Sequence, residues 1–341
     1  MIRTSPKPSV PTFIPPPPKK QEAPKDGVAK TIAIYLSFFL IAYICFLIYN
    51  AKFYFGYLDS LGVTPHLSVI WIVPVGYLYS LAIYLGSLKY FKNWIGTNLV
   101  DRIYKADETH EMRVHRLCND LNGLIYYTTS VLLGVYCCWG SEYLPWAMGG
   151  KFEFMKIIRE FPLENPNHLQ YFYFLMGMGH HLERLIEFLL KQQNNGQYWI
   201  VFFHHILTCA IMATSYLCGT IYIGLPVLLL HDLIEPTFNL SKLAREVVPL
   251  RDIMMPAFFG LILTWIFSRT FSFTIEFIPY SWAIFFQGGP KTKPLFALWA
   301  FQIFCVYSLW LLNQFWLYQL LMIAYRKLRY GSESSPRDKK A

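Results

Sequence analysis

Residues 199–242 read WIVFFHHILTCAIMATSYLCGTIYIGLPVLLLHDLIEPTFNLSK. This stretch contains two apolar runs, 199–218 and 221–242, and each is long enough to cross the roughly 30 Å hydrocarbon core of a membrane. Almost no loop joins them, so the two segments must run antiparallel and side by side. Each holds a polar pair, His204-His205 and His231-Asp232. Ionisable groups inside apolar spans are costly, which makes these pairs candidates for a functional site.

The rest of the chain has the same character. Of its 341 residues, 55% are hydrophobic, 18% are aromatic and only 15% are charged. This composition excludes an ordinary soluble protein of two domains, whose sequence would be interrupted by more charge. We therefore expect an all-α polytopic membrane protein with about eight transmembrane helices. The apolar runs place these helices at 31–50, 66–88, 119–140, 167–190, 199–218, 221–242, 252–279 (interrupted by Arg269) and 295–325.

The basic residues indicate how the chain is oriented. The net charge of +9 comes from Lys and Arg gathered at the ends of the apolar runs. This distribution is typical of membrane topology and contact with anionic headgroups rather than of nucleic-acid binding. With an even number of spans, the positive-inside rule places both termini in the cytosol.

Composition divides the chain into five segments. The first 30 residues are rich in Pro and Lys and have no apolar core typical of a signal peptide, so the span at 31–50 is expected to act as an uncleaved anchor. In the basic loop at 92–118, apolar residues such as Trp94 and Ile95 lie among charged residues, a pattern that favours a helix on the membrane surface. The segments are a disordered cytosolic tail (1–30), two N-terminal transmembrane helices (31–91), the cytosolic basic loop (92–118), the main helical bundle (119–326) and a disordered cytosolic tail (327–341).

Helix geometry predicts that the polar residues of the two central spans meet. At 1.5 Å per residue, His204 and His205 lie on the order of 10 Å from the cytosolic end of their span. His231, Asp232 and Glu235 enter from the other side and reach a similar depth, roughly 10–15 Å from the same face. Thr208 lies one turn from His204, and Glu235 lies one turn from His231.

A further polar group lies in the span at 167–190. It contains His180, His181, Glu183, Arg184 and Glu187. We expect Glu183 to pair internally with Arg184 or Glu187 near the cytosolic end, in a structural role.

Several kinds of chemistry suit histidines and carboxylates held in an apolar place. The nine histidines form none of the HxxxH or HxxHH boxes that hold two irons in membrane desaturases. A single zinc bound by His204 or His205 with His231 and Asp232 is one alternative. Another is a purely structural role, in which the polar groups tie the spans together. General acid–base catalysis fits best, because a histidine oriented by an aspartate accepts a proton near neutral pH.

The two polar pairs carry a family resemblance. His204-His205-Ile206-Leu207-Thr208, followed by His231-Asp232, Glu235 and Lys242, resembles the longevity-assurance motif of ceramide synthases, which belong to the TLC-domain membrane proteins. The likeness covers roughly residues 110–330. Glu235 stands where that family usually has Asp, and Asn239 where it often has Glu. Pro236 within the span is also unusual, although a kink at membrane depth is tolerated.

The resemblance implies a TLC-type bundle enclosing a lipid cavity in the endoplasmic reticulum membrane. It also implies transfer of a fatty acyl group from acyl-CoA to the amine of a long-chain sphingoid base, giving (dihydro)ceramide. Either His204 or His205, paired with Asp232 or His231, would deprotonate the amine, or one of them would form an acyl-imidazole. The implied catalytic residues are His204, His205, His231, Asp232 and Glu235.

The same resemblance assigns substrate contacts and partners. Thr208 is expected to help stabilise the oxyanion, while Lys242 and Arg245 are expected to meet CoA phosphates. No metal or cofactor is expected, with acyl-CoA serving as co-substrate. Membrane lipids, a homodimer and a small single-span regulatory subunit are compatible partners.

Two other functions stay open at this point. Some TLC-domain proteins bind, move or sense lipids, or assist the translocon, without this chemistry. Retention of HHxxT together with the His-Asp pair argues against that reading, since a lipid carrier needs no base. A membrane acyltransferase acting on a hydroxyl or a lysolipid could use the same histidines.

Overall fold

The computed structural model describes residues 69–99, 109–142, 166–190, 197–217, 220–279 and 293–330, together with isolated positions between them. The described chain is helical apart from turns and one isolated β-bridge between Leu99 and Val247. The predicted all-α class is therefore confirmed. The helices are α1 (Ile72–Asn98), α2 (His110–Cys138), α3 (His168–Leu190), α4 (Tyr198–Leu217), α5 (Ile221–Asp232), α6 (Glu235–Glu246), α7 (Met254–Trp265) and α8 (Lys293–Tyr330).

Five helical stretches are long and apolar enough to cross a membrane: Ile72–Asn98, His110–Cys138, Tyr198–Leu217, Val248–Glu276 and Trp299–Arg329. They coincide with five of the predicted spans and make the chain a multi-pass membrane protein. α3 matches a predicted span in position but carries three charged residues, and α5 and α6 are each only 12 residues long. The predicted first span, 31–50, lies outside the described residues, so the number eight stays a prediction.

Two segments differ in detail from the expected spans. The predicted continuous span 221–242 is interrupted at Leu233 and Ile234, between α5 and α6. Pro236 explains the interruption, because proline has no N–H to donate to the carbonyl four residues earlier. The expected basic loop 92–118 begins and ends in helix, since α1 continues to Asn98 and α2 starts at His110, where the Thr109 side chain accepts a hydrogen bond from the Met112 N–H.

Irregular helical segments flank α7 on both sides. A 3₁₀ helix, Val248–Ile253, precedes α7, and a π-helical segment, Ile266–Phe277, continues it without a break. π-Helical turns change the direction in which side chains project and are frequent at functional sites. Here the π-helical segment contains Arg269.

Helix α5 lies at the centre of the bundle. It packs against α2, α3, α4 and the π-helical segment, while α8 covers α4 and the π-helical segment from the other side. The main core lies around α5 and includes the fully buried side chains of Tyr173, Phe174, Tyr216 and Leu225. This arrangement puts the C-terminal end of α5, with His231 and Asp232, where several helices can supply polar partners.

Close contact between α1 and α3 brings further polar side chains near the C-terminal end of α5. A Cβ atom added at Gly76 would lie 2.5 Å from the Met176 carbonyl oxygen, and one added at Gly179 would lie 2.1 Å from the Val73 carbonyl oxygen. The two backbones therefore meet directly, as small residues allow in membrane bundles. The close approach lets Ser80 of α1 reach the side chains of α3.

Candidate functional site

Asp232 is the buried carboxylate at the centre of the site. It is the last residue of α5 and its side chain is 2% exposed. Ser130 of α2 donates a hydrogen bond of 2.7 Å to Asp232 Oδ2. The imidazole of His181, from α3, places Nε2 3.8 Å from Asp232 Oδ1. Ser130 thus hydrogen-bonds one oxygen of this buried carboxylate, and the His181 imidazole lies near the other.

His231 precedes Asp232 in α5 but points elsewhere. Its Nδ1 lies 2.8 Å from the carbonyl oxygen of Val227, so Nδ1 carries the proton and donates it. Nε2 then accepts from Asn313 Nδ2 of α8, at 3.4 Å. The ring meets Phe273 edge to face, with centroids 5.3 Å apart. Both nitrogens of His231 are therefore occupied by groups other than Asp232.

His204 and His205 of α4 are partly accessible. The His204 ring meets Trp316 edge to face with centroids 5.2 Å apart, and the His205 ring lies 5.6 Å from that of Phe188. The Nδ1 atoms of both histidines are buried and have no hydrogen-bond partner. α4 packs against α5, as the short connection between them predicts, while the common depth of the two polar pairs stays a prediction.

Glu235 is the first residue of α6 and forms an ion pair with Arg269. Arg269 Nη2 lies 3.1 Å from Glu235 Oε1 and also donates to the His231 carbonyl oxygen at 2.8 Å. The guanidinium lies 4.6 Å from the ring centroid of Trp265, and only 4% of Arg269 is exposed. Arg269 therefore bridges the interruption between α5 and α6.

The three residues expected to bind substrate have partners within the protein. The Thr208 hydroxyl donates to the His204 carbonyl oxygen at 2.9 Å. Lys242 Nζ lies 3.2 Å from Asp120 Oδ1 and 3.9 Å from the centroid of the Phe238 ring. Arg245 Nη2 donates to Glu246 Oε1 at 3.0 Å. The Lys242 and Arg245 side chains nevertheless stay 32% and 47% exposed, and so are accessible from the same end of the bundle.

Three arginines contact the carboxylate of Glu246 at the same end of the bundle as Lys242 and Arg245. Arg113 donates to Oε2 at 3.0 Å, and Arg116 donates to both carboxylate oxygens at 3.1 Å. Burial alone raises the pKa of Glu246, but the hydrogen bond from Arg113 and the positive charges of Arg116 and Arg245 outweigh it and hold this pKa below its ordinary value. The cluster of Glu246 with its three arginines carries a net positive charge.

Polar side chains of α3 form a second network, together with Ser80 of α1. His180 Nδ1 lies 2.7 Å from Ser80 Oγ, which donates to Glu183 Oε2 at 3.1 Å. Arg184 places Nε 2.8 Å from Glu183 Oε2 and donates from Nη1 to Glu187 Oε2 at 2.8 Å. The predicted ion pairing of Glu183 is therefore confirmed, with Arg184 as its partner.

Sequence reasoning missed four contributors to the site: Ser130, His181, Arg269 and Asn313. Arg269 gave a signal, because an arginine inside an apolar span needs a partner. The sequence places His181 in the polar group of the span at 167–190, for which it predicts a structural role. Ser130 and Asn313 gave no signal, since serine and asparagine also occur in transmembrane helices for packing. Only the packing of α2 and α8 reveals their roles.

Within the part of the chain that the structure describes, no three His, Cys, Asp or Glu side chains are grouped to hold a metal ion. The site presents proton donors and acceptors: two carboxylates, several imidazoles and a guanidinium. Such a set can orient and move protons.

The fold and this site define a class, the multi-pass helical membrane proteins with a buried His-Asp constellation. The model of the TLC domain matches residues 116–322, and the chain belongs to the TLC-domain family. This match starts six residues inside α2 and ends within α8.

Individual relatives show which branch of the TLC-domain family the chain resembles. Ceramide synthase hyl-2 of Caenorhabditis elegans is 22% identical over 289 residues, covering 78% of this chain and 82% of the relative. Sphingosine N-acyltransferase lag1 of Schizosaccharomyces pombe is 25% identical, covering 62% of this chain and 54% of the relative. Ceramide synthase LAG1 of Saccharomyces cerevisiae is 23% identical, covering 67% and 56%. The chain thus spans little more than half of the yeast proteins. These relatives confirm the resemblance to the ceramide synthase branch of the family.

Proposed function

We propose that this protein is a ceramide synthase, which transfers the acyl group of a fatty acyl-CoA to the amine of a long-chain sphingoid base. One observation supports the proposal: in a bundle similar to proteins named ceramide synthase, the buried carboxylate of Asp232 lies on α5, next to the helix that carries His204 and His205. We place the reaction in the endoplasmic reticulum membrane, with both termini in the cytosol.

The chemistry of the acceptor explains the need for this site. A sphingoid amine arrives mostly as the ammonium ion, because its pKa lies near that of an ordinary amine. It must lose a proton before it can attack a thioester, and a neutral imidazole is suited to take it. Catalysis therefore rests on His204, His205, His231, Asp232 and Glu235, acting by acid–base chemistry or through an acyl-imidazole on His204 or His205.

The contacts described above divide these roles. His204 and His205 fit direct participation, since both are partly accessible and their buried Nδ1 atoms lack partners. His231, held by Val227 and Asn313, fits a positioning role, and so does Glu235 through its pair with Arg269. Because the Thr208 hydroxyl donates to the His204 carbonyl, Thr208 fits alignment of His204 better than donation to an oxyanion.

Polar and apolar parts of the substrates would bind in different regions. Both lipid tails are proposed to occupy an apolar cavity in the bundle, open to the bilayer. CoA is too polar to enter and would stay at the cytosolic mouth. There Lys242 and Arg245, together with the positive cluster around Glu246, offer partners for its phosphates. Acyl-CoA would serve as co-substrate, and no metal or cofactor is proposed. A homodimer or a single-span regulatory subunit is compatible with this scheme.

The test uses the full chain purified with membrane lipid. Dihydrosphingosine and a series of acyl-CoAs are supplied, and a lysophospholipid and a fatty alcohol are compared as acceptors. His204→Ala, His205→Ala and Asp232→Ala are assayed beside the wild type after thermal unfolding has shown that they fold. Thr264→Val, which loses only a hydrogen bond to the Gly260 carbonyl, is the matched control.

The expected result is amide product with the sphingoid base, with kcat lowered at least 100-fold in the three active-site variants and unchanged in the control. Ester product with the alcohol or lysolipid alone would assign a different acyltransferase. A folded wild type that binds lipid but forms no product, with a required subunit ruled out, would favour a non-catalytic TLC-domain protein.

A further inference from the structure

The identity of the imidazole that Asp232 serves follows from the geometry of the site. Asp232 has two carboxylate oxygens, and Oδ2 is occupied by the Ser130 hydroxyl. Oδ1 faces His181 Nε2 at 3.8 Å. Within the described chain, His181 is the one buried histidine that lies within 4.0 Å of a carboxylate oxygen.

The other histidines of the site are directed elsewhere. His231 uses Nδ1 on the Val227 carbonyl and Nε2 on Asn313. His204 packs against Trp316, and His205 against Phe188. His180, the neighbour of His181, bonds to Ser80 and stacks on Tyr126 with ring centroids 3.5 Å apart. None of these rings is directed at Asp232.

We infer that His181, oriented by Asp232, is the general base that takes the proton from the sphingoid amine. The inference rests on the proposed function and names a residue outside the two motif pairs. With Nε2–H directed to Asp232 Oδ1, Nδ1 keeps the lone pair that accepts a proton. The gap of 3.8 Å closes when the imidazolium forms, as hydrogen bonds of catalytic groups tighten in the reacting complex.

The surroundings of His181 fit this role. Its side chain is 10% exposed, whereas that of Asp232 is 2% exposed, so the imidazole is the more accessible member of the pair. His181 also lies within electrostatic range of His205. α3 also packs against α4, so this base lies on a helix next to the one whose histidines would present the acyl group.

The proton and bond changes balance. The ammonium gives one proton to His181 Nδ1, and the free amine attacks the acyl carbonyl carbon, forming the C–N bond. The C–S bond to CoA breaks, either in the same addition–elimination sequence or in a preceding transfer to an imidazole of α4. The nitrogen loses a second proton as the amide forms. One of the two protons neutralises the CoA thiolate, and the other is released to water.

The experiment measures kcat and the KM for acyl-CoA in His181→Gln, Asp232→Asn and the double variant of the full chain. His181→Gln is expected to lower kcat about 100- to 1000-fold while the KM changes less than about threefold, since the base acts after acyl-CoA has bound. The double variant is expected to be no slower than Asp232→Asn by more than about threefold, because residues that act as a unit are not additive.

His180→Gln is the matched control, since it changes the adjacent histidine, whose partner is Ser80. Its rate per folded molecule is expected to stay within about threefold of the wild type. His181→Asn replaces His181→Gln if the latter does not fold.

Three outcomes would count against the inference in different ways. A folded His181 variant with at least a third of the wild-type kcat would overturn it while leaving the proposed function intact. Losses in the two single variants that multiply in the double variant would show that His181 and Asp232 act independently, and would also overturn it. A wild type without N-acylation would overturn the proposed function, and this inference with it.

Discussion

At the scale of single residues, the hydroxyl of Ser130 fixes one oxygen of Asp232 and leaves the other for an imidazole. A buried carboxylate that loses such a donor becomes free to rotate and less well solvated. Ser130 lies on the buried side of α2, whereas its neighbour Thr129 is exposed and bonds only to backbone carbonyls of its own helix. The two hydroxyls therefore provide a comparison within one turn.

Replacement of Ser130 by Ala is expected to lower kcat about tenfold, which corresponds to the loss of about 1–2 kcal/mol from one buried hydrogen bond to a charged group. Thr129→Val is expected to leave kcat unchanged. Steady-state N-acylation rates of the two purified variants decide the matter, and equal rates in both would show that Ser130 does not hold Asp232 during catalysis.

At the scale of helices, the side chain of Arg269 links α5 and α6 across the interruption between them. Pro236 removes a backbone donor at this point, and Arg269 supplies a donor to the His231 carbonyl while pairing with Glu235. Arg269→Met is expected to destabilise the protein by about 2–4 kcal/mol, because it leaves a largely buried carboxylate without its cation. Glu235 is 23% exposed, which reduces this cost through contact with water.

Addition of Glu235→Gln to Arg269→Met is expected to recover part of that loss, since the unpaired charge is gone. Thermal unfolding in detergent of both single variants and the double variant gives the coupling energy. Strictly additive losses would show that the ion pair is not what joins the π-helical segment to α6.

Close backbone contact between α1 and α3 makes a second prediction at this scale. Gly179→Ala is expected to destabilise the bundle by about 1–3 kcal/mol, because the added Cβ would lie 2.1 Å from the Val73 carbonyl oxygen, and the two helices must move apart. Gly86→Ala, in α1, is the control, since no atom lies within 4 Å of its added Cβ. A Gly179 variant as stable as the Gly86 variant in the same unfolding assay would contradict the described contact.

The elements also show how far sequence reasoning reaches. Apolar runs predicted the approximate positions of the five described spans and of α3, because the thickness of the bilayer sets the length of a span. The two polar pairs predicted the candidate site because ionisable groups inside apolar spans are costly. The break at Leu233 was suggested by Pro236, but its bridging by Arg269 was not. Contacts such as Ser130–Asp232 join residues 102 positions apart, and they depend on how the helices rotate and pack.

At the scale of the whole molecule, the arginines around Glu246 join the start of α2 to the end of α6. Because the pKa of Glu246 is held below its ordinary value, the stability it contributes is fully present above the unfolded pKa of about 4.3 and is lost as pH falls through the lower, folded value. The wild type should therefore become less stable in detergent below about pH 4.3, and Glu246→Gln should lose this part of the pH dependence.

The same variant should be less stable than the wild type at pH 7, because three cations lose their shared anion. Glu111→Gln is the control, as its pair with Lys92 is exposed on both sides. Unfolding temperatures measured at pH 7 and pH 4 test both statements. A Glu246 variant whose stability falls with acid as steeply as that of the wild type would contradict the role given to this carboxylate.

The stability of the lipid product to alkali shows whether the whole molecule forms an amide. Purified wild type is given isotope-labelled acyl-CoA and dihydrosphingosine, and the lipid product is treated with mild alkali before mass analysis. We predict a labelled product that survives alkali, as an amide does, with one CoA thiol released per product and none formed by Asp232→Ala. A labelled product destroyed by alkali, or a folded wild type without product when any required subunit is present, would contradict the account.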